Sequence, residues 1–234
     1  MMSMMLEASW FRETRYVLSN WLQALLFFGI PVITIANMAW NPYTAVEKML
    51  YTVSNYVAWS GGFLLVSANS SSEDRAKGII ELIVQSGNPL WSYSLGKSLF
   101  YGCSAMLTQI VGTVMVAVIG SWRFDWNMML LVGMSIAVQL LTVLCGGQLI
   151  MAATIMNRYM GVLVWGMYSY ALVGLSIVTM SPGRPLRENM TGLIIIGLVL
   201  MVFGTVLVQA ISRRFSVPVL CKGTTSKLNE LQKA

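Results

Sequence analysis

The sequence predicts an all-α membrane protein: six transmembrane helices, an N-terminal interfacial helix, and a short cytoplasmic helix between the second and third spans. Three observations lead there. Of 234 residues, 56% are apolar and 10% charged, with a mean hydropathy of +0.69. A soluble domain carries about 25% charge, so these charges are too few to cover a water-soluble globule. The charged positions also divide the chain into six uncharged intervals of at least 24 residues, and a helix needs about 20 to cross a bilayer. Finally, the apolar runs are continuous rather than alternating, which excludes a barrel, the other structure that satisfies its backbone in lipid. The same composition excludes a disordered chain.

At the N-terminus, Glu7, Arg12, Glu13 and Arg15 leave no apolar core ahead of the first span, so no cleavable signal peptide is expected. Trp10, Phe11 and Tyr16 alternate with these charges, which predicts an amphipathic helix over 1–17 lying at the cytoplasmic interface. The spans are expected near 18–40, 49–68, 98–121, 127–155, 160–180 and 190–211. Gly29-Ile30-Pro31 should kink the first, and Gly61-Gly62 allows close helix approach in the second. With the N-terminus inside, 11 Lys and Arg residues fall in cytoplasmic segments and four, Lys48, Arg123, Arg184 and Arg187, fall outside. Six spans return the tail over 212–234 to the cytoplasm. The net charge of +6 is thus topological bias spread over short segments, and nucleic acid is not an expected partner. Trp10, Trp21, Trp40, Trp91, Trp122 and Trp126 sit near span ends, as aromatic belts require. The outer connections, 41–48, 122–126 and 181–189, are too short for an external domain.

The chain has no histidine, and its cysteines are Cys103, Cys145 and Cys221. That excludes a disulfide framework, a zinc site, and Ser-His or Cys-His catalysis. No ionisable residue falls inside a predicted span, which argues against proton coupling within the chain. Asn55, Gln109, Gln139 and Gln148 do. They read either as hydrogen-bonded glue between helices or as the lining of a substrate path. Gln139 and Gln148 are nine apart, on opposite sides of a straight helix, so one lumen takes both only if Gly146-Gly147 supplies a bend. The 18 methionines suit lipid-facing packing.

The segment after the second span carries the most information. Ser70 precedes Glu73 at capping-box spacing, and Glu73 and Asp74 suit the positive end of a helix. Ala76, Ile79, Leu82 and Ile83 then share one face, and Gly87 and Pro89 end it. This predicts a surface helix within 70–88 that rests its apolar face on the bundle and offers Glu73, Arg75, Lys77 and Glu81 to another protein.

The run Glu73-Asp74-Arg75-Ala76-Lys77-Gly78-Ile79-Ile80-Glu81-Leu82-Ile83, followed by Gly87-Asn88-Pro89 and Leu95-Gly96-Lys97, resembles the ABC-2 (type V exporter) permeases. Gly78, Glu81, Pro89 and Gly96-Lys97 match that family's glycine, glutamate, proline and Gly-Lys pair. Ile79 replaces the usual threonine, and Asn88 the usual small residue. The resemblance implies that this loop is a coupling helix, a role carried to Glu73, Asp74, Arg75, Gly78 and Glu81. It would dock in a separate nucleotide-binding ATPase subunit, which holds the ATP and Mg. The chain itself lacks a GxxxxGK[ST] phosphate loop, because Trp91 stands where the first glycine before Gly96-Lys97-Ser98 would be. No cofactor and no enzymatic activity are therefore expected in this chain.

The resemblance further implies a second permease copy or paralogue and a multi-pass place in the plasma (bacterial inner) membrane with both termini cytoplasmic. It implies export, and the uncharged interior suits hydrophobic or amphipathic cargo such as a peptide, a drug or a lipid-like molecule. A haem-export, cytochrome-maturation type of permease suits the size and topology equally. An ATP-independent secondary carrier is the reading from another class. An intramembrane enzyme would lack its usual constellations.

Overall fold

The computed structural model describes residues 2–21, 45–86, 90–119, 125–157, 159–179 and 191–200, together with isolated positions such as Leu25, Gly29, Ile33, Trp40, Phe203 and Val206. Seven helices and no strand are found among them. They are α1 (Met2–Ser19), α2 (Ala45–Ala76), α3 (Ile79–Gln85), α4 (Leu90–Ile119), α5 (Trp126–Met156), α6 (Met160–Thr179) and α7 (Thr191–Leu200). Two stretches, Leu90–Val118 and Trp126–Met156, are long and apolar enough to cross a membrane.

The third, fourth and fifth expected spans correspond to α4, α5 and α6, and α7 lies within the sixth. Two boundaries differ. The second expected span, 49–68, lies inside the longer α2, and α4 begins at Leu90 rather than 98. Lys97 is therefore on the second turn of α4, not ahead of it. The described positions Leu25, Gly29, Ile33 and Trp40 are helical, within the first expected span. The stop at 87–89, the connection 181–189 and the tail from 212 lie outside the described residues.

α5 is the hub of the bundle and packs against α2, α4 and α6. α7 completes its surround, with Leu193, Ile196 and Leu200 buried against Leu131, Val138 and Cys145. α5 starts cleanly because Asp125 caps it: the carboxylate accepts from the Met128 N–H at 2.9 Å. It ends at Asn157, whose Oδ1 accepts from the Tyr159 N–H at 3.0 Å and turns the chain into α6.

α4 and α5 form an antiparallel hairpin in a constant register. Ser94 donates to Gln148 Oε1 at 2.9 Å near one end, and Gln109 donates to Ser135 Oγ near the other. Between them the helices close on small residues. A side chain at Gly147 would meet Ser98, and one at Gly102 would meet Leu140. α2 approaches α6 in the same way: Ser169 lies over Gly61, and Trp165 Nε1 donates to the Gly61 carbonyl at 2.5 Å. Close backbone approach and interhelical hydrogen bonds of this kind hold helices together where a hydrophobic drive is lacking.

The predicted helix over 70–88 is not one element. α2 continues through the serines to Ala76, the chain turns at Lys77-Gly78, and α3 then runs for 7 residues. The expected cap at Ser70 is absent. Ser70 Oγ instead donates to both carboxylate oxygens of Glu13, and Ser71 Oγ donates to the Ser67 carbonyl. A helix already propagating through the serines leaves no free backbone N–H for Ser70 to cap, and its hydroxyl is left to donate to the charged carboxylate. The corner is Gly78, with φ +70°, a left-handed conformation that glycine adopts without steric cost. Because phase is reset there, the buried face of α3 is Ile80 and Ile83, while Leu82 is 62% exposed.

Candidate functional site

α1 turns part of its polar face into the bundle. On α1, Ser9 and Glu13 are buried while Phe11 is 66% exposed and Leu18 also faces outward, as does Trp21 just past its end. The polar stripe therefore points into the bundle. α1 packs chiefly on α4, with Trp10 edge-on to Phe100 at 5.2 Å. The reason lies in what α4 and α2 present to it.

Four charges close a ring among three helices. Lys97 of α4 donates to Asp74 Oδ2 at 2.6 Å and to Glu13 Oε1 at 3.2 Å. Arg12 pairs with Asp74 Oδ1 on one side and with Glu13 Oε1, at 3.4 Å, on the other. Going round, cation and anion alternate: Arg12, Asp74, Lys97, Glu13. The ring holds two acids and two bases, so it is neutral. Lys97, Asp74 and Glu13 are buried, and only Arg12, at 24%, reaches solvent.

Neutral hydroxyls donate to both acids. Tyr101 donates to Glu13 Oε2 at 2.6 Å, Ser70 donates to the same carboxylate, and Tyr93 donates to Asp74 Oδ2 at 2.8 Å. Burying an ion costs several kcal/mol unless it is paired and hydrogen-bonded; here each buried ion is paired with opposite charge and takes part in at least one hydrogen bond. Tyr16, partly buried on α1, has its phenol pushed up by that burial and by the nearby Glu73 and Glu13 carboxylates.

The acids also sit at the wrong end of a helix. Glu73 and Asp74 occupy the last turn of α2, where the dipole disfavours negative charge. Each is compensated by a cation: Glu73 by Lys77 one turn on, Asp74 by Arg12 and Lys97. The expected placement at a helix start was thus reversed by the length of α2.

Beyond the ring, the corner is fastened twice. Arg75 Nη1 and Glu81 Oε1 stand 2.9 Å apart across the Gly78 turn. Under α3, Ile80 and Ile83 pack on Leu90, Tyr93, Met151 and Ile155. Of the five residues singled out in the loop, Arg75, Gly78 and Glu81 meet at this corner and Glu73 pairs beside it, part-exposed. Asp74 is turned inward, without a surface to offer.

The amides resolve differently. Gln109 and Gln148 spend hydrogen bonds on the α4–α5 hairpin. Gln139 is buried on the opposite side of α5 from Gln148. α5 is enclosed on several sides, so both amides are buried while facing opposite ways. Asn55 lies on α2, and its side chain is outside what is described.

Glu13, Lys97, Tyr93 and Tyr101 were not singled out as site residues. One signal existed: a lysine two turns into an apolar helix requires a buried anion. It became visible only once α4 was known to begin at Leu90. Among the described residues, no group of His, Cys, Asp or Glu is arranged to hold a metal ion. Comparisons with protein-family models, curated proteins and solved structures found no match to this chain.

Proposed function

We propose that the chain is the membrane permease subunit of an ATP-binding-cassette exporter, with α3 as the helix that engages a separate ATPase subunit. The observation that carries this reading is the corner itself. A seven-residue helix is set off from the end of a 32-residue one by a left-handed glycine. It is seated by Ile80 and Ile83 and pinned by Arg75 and Glu81. A short rigid element fastened to the ends of α2 and α4 is suited to pass a push from outside into both helices. An ATPase cycle moves the spans only if its states favour different arrangements of such an element.

The charge ring supports the proposed topology. It joins α1, the end of α2 and the start of α4, which places the N-terminus and the α2–α4 loop at one end of the bundle. The expected spans between them must then leave and return, in keeping with both on the cytoplasmic side of a multi-pass plasma (bacterial inner) membrane protein. Two such subunits would form the path, and spans whose buried lysine, Lys97, is neutralised in the ring suit hydrophobic or amphipathic cargo. Within this reading Glu73, Arg75, Gly78 and Glu81 serve the docking corner, whereas Asp74 anchors it.

The test is affinity purification from native membranes in mild detergent, comparing wild type with a Gly78→Pro/Glu81→Arg double variant. An ATPase subunit that accompanies the wild type and is lost from the folded variant supports the proposal. No ATPase with the wild type, even after cross-linking, overturns it.

A further inference from the structure

We infer that α1 is a latch on α3, holding it in place through Arg12 and Tyr93 although α1 and α3 need not touch. Arg12 Nη1 donates to the Tyr93 hydroxyl at 2.5 Å. The hydroxyl of Tyr93 donates in turn to Asp74 Oδ2, so the phenol is fixed from both sides. Its ring meanwhile belongs to the core on which Ile80 and Ile83 of α3 rest. Tyr93 therefore has two faces of work: its oxygen is in the charge ring and its ring is the seat of α3. Lys97 Nζ lies 5.9 Å from the centre of the same ring, which adds a cation–π restraint on its tilt.

A second route runs through α2. Arg12 pairs with Asp74, and the next residue, Arg75, pairs with Glu81 on α3. Both routes start at Arg12, the one ring member that solvent reaches. Arg12 is thus the member that can let go at least cost, since water replaces what it loses. Releasing it leaves the Lys97–Asp74 and Lys97–Glu13 contacts in place, so the bundle stays closed while the seat of α3 loosens. Arg12 and Tyr93 are positioning residues, acting on α3 through other groups. The inference concerns what holds α3 and stands whether or not α3 docks on an ATPase.

The test uses full-length protein in detergent with Cys103, Cys145 and Cys221 replaced by alanine and a nitroxide on Leu82→Cys, an exposed position of α3. The same label on Leu107→Cys, exposed on α4, reports the bundle. Arg12→Gln and Tyr93→Phe are compared with the parent, the latter keeping the aromatic ring and removing only the oxygen. The expected result is that the mobile component of the spectrum about doubles at position 82 and is unchanged at 107. An unchanged spectrum at 82 in both variants overturns the latch, and equal loosening at 82 and 107 shows that the residues only hold the fold. If Arg12→Gln does not fold, Tyr93→Phe decides alone. Loss of ATPase co-purification with the latch intact would remove the proposed partner and leave this inference standing.

Discussion

Lys97 Nζ and Asp74 Oδ2 meet at 2.6 Å, both side chains buried, joining the start of α4 to the end of α2. The pair gives a physical task to two positions drawn from separate parts of the resembling motif. Lys97 is half of the Gly-Lys pair and Asp74 is part of the acidic cluster. Each is the other's reason for being tolerated at its place.

Removing one member of the ring should cost far more than removing a matched pair. Lys97→Met leaves two acids facing only Arg12 and should destabilise the protein by about 3–5 kcal/mol. Asp74→Asn combined with Lys97→Met leaves Arg12 with Glu13, is neutral, and should cost less than Lys97→Met alone. Thermal unfolding of the detergent-solubilised protein measures both.

Charge reversal separates a ring from an isolated pair. Exchanging Glu13→Lys with Lys97→Glu would restore a lone ion pair. In the ring it sets Lys beside Arg12 and Glu beside Asp74, so like charges become neighbours. The double variant should be no more stable than Glu13→Lys alone. Recovery to wild-type stability would show that the two residues act as a simple pair.

Gly78 should be sensitive to backbone conformation and indifferent to volume. A Cβ there meets nothing within 4 Å, yet φ is +70°. Gly78→Ala should therefore cost about 1–2 kcal/mol, and Gly78→Asn less, because asparagine tolerates the left-handed region. Limited proteolysis across 76–80 should rank the variants in the order alanine, asparagine, glycine.

The α4–α5 hairpin gives a contrast between two glycines. A Cβ at Gly147 would collide with the Ser98 side chain, so Gly147→Val should cost about 1–3 kcal/mol through overpacking. Gly133, on the same helix with open space around it, should accept alanine and gain up to about 1 kcal/mol of helix propensity. Equal melting temperatures for the two variants would contradict the observed register.

Much of the fold was legible because the spacing of charges reports which segments avoid water, and that pattern places α4, α5 and α6 closely. What stayed hidden was pairing across the chain. Ser70 and Glu73 match a local capping rule, and only the presence of Glu13, 57 positions away, redirects the serine. Local amphipathicity likewise marks α1 as a surface helix, and nothing near Glu13 announces that Lys97 and Tyr101 await it. Arg75, Gly78 and Glu81 were legible as one segment, though not as a corner, since they stand within six positions of each other. Glu13 and Tyr93 were not, as their partners are long-range.

The alternating ring also constrains how this protein can drift. No single charge-changing substitution at Arg12, Glu13, Asp74 or Lys97 preserves neutrality, and no simple exchange of Glu13 with Lys97 preserves alternation. Accepted changes should come in compensated sets. Across descendants of this chain the four positions should vary together or stand still together, a correlated signature that their wide separation along the sequence would otherwise give no cause to expect.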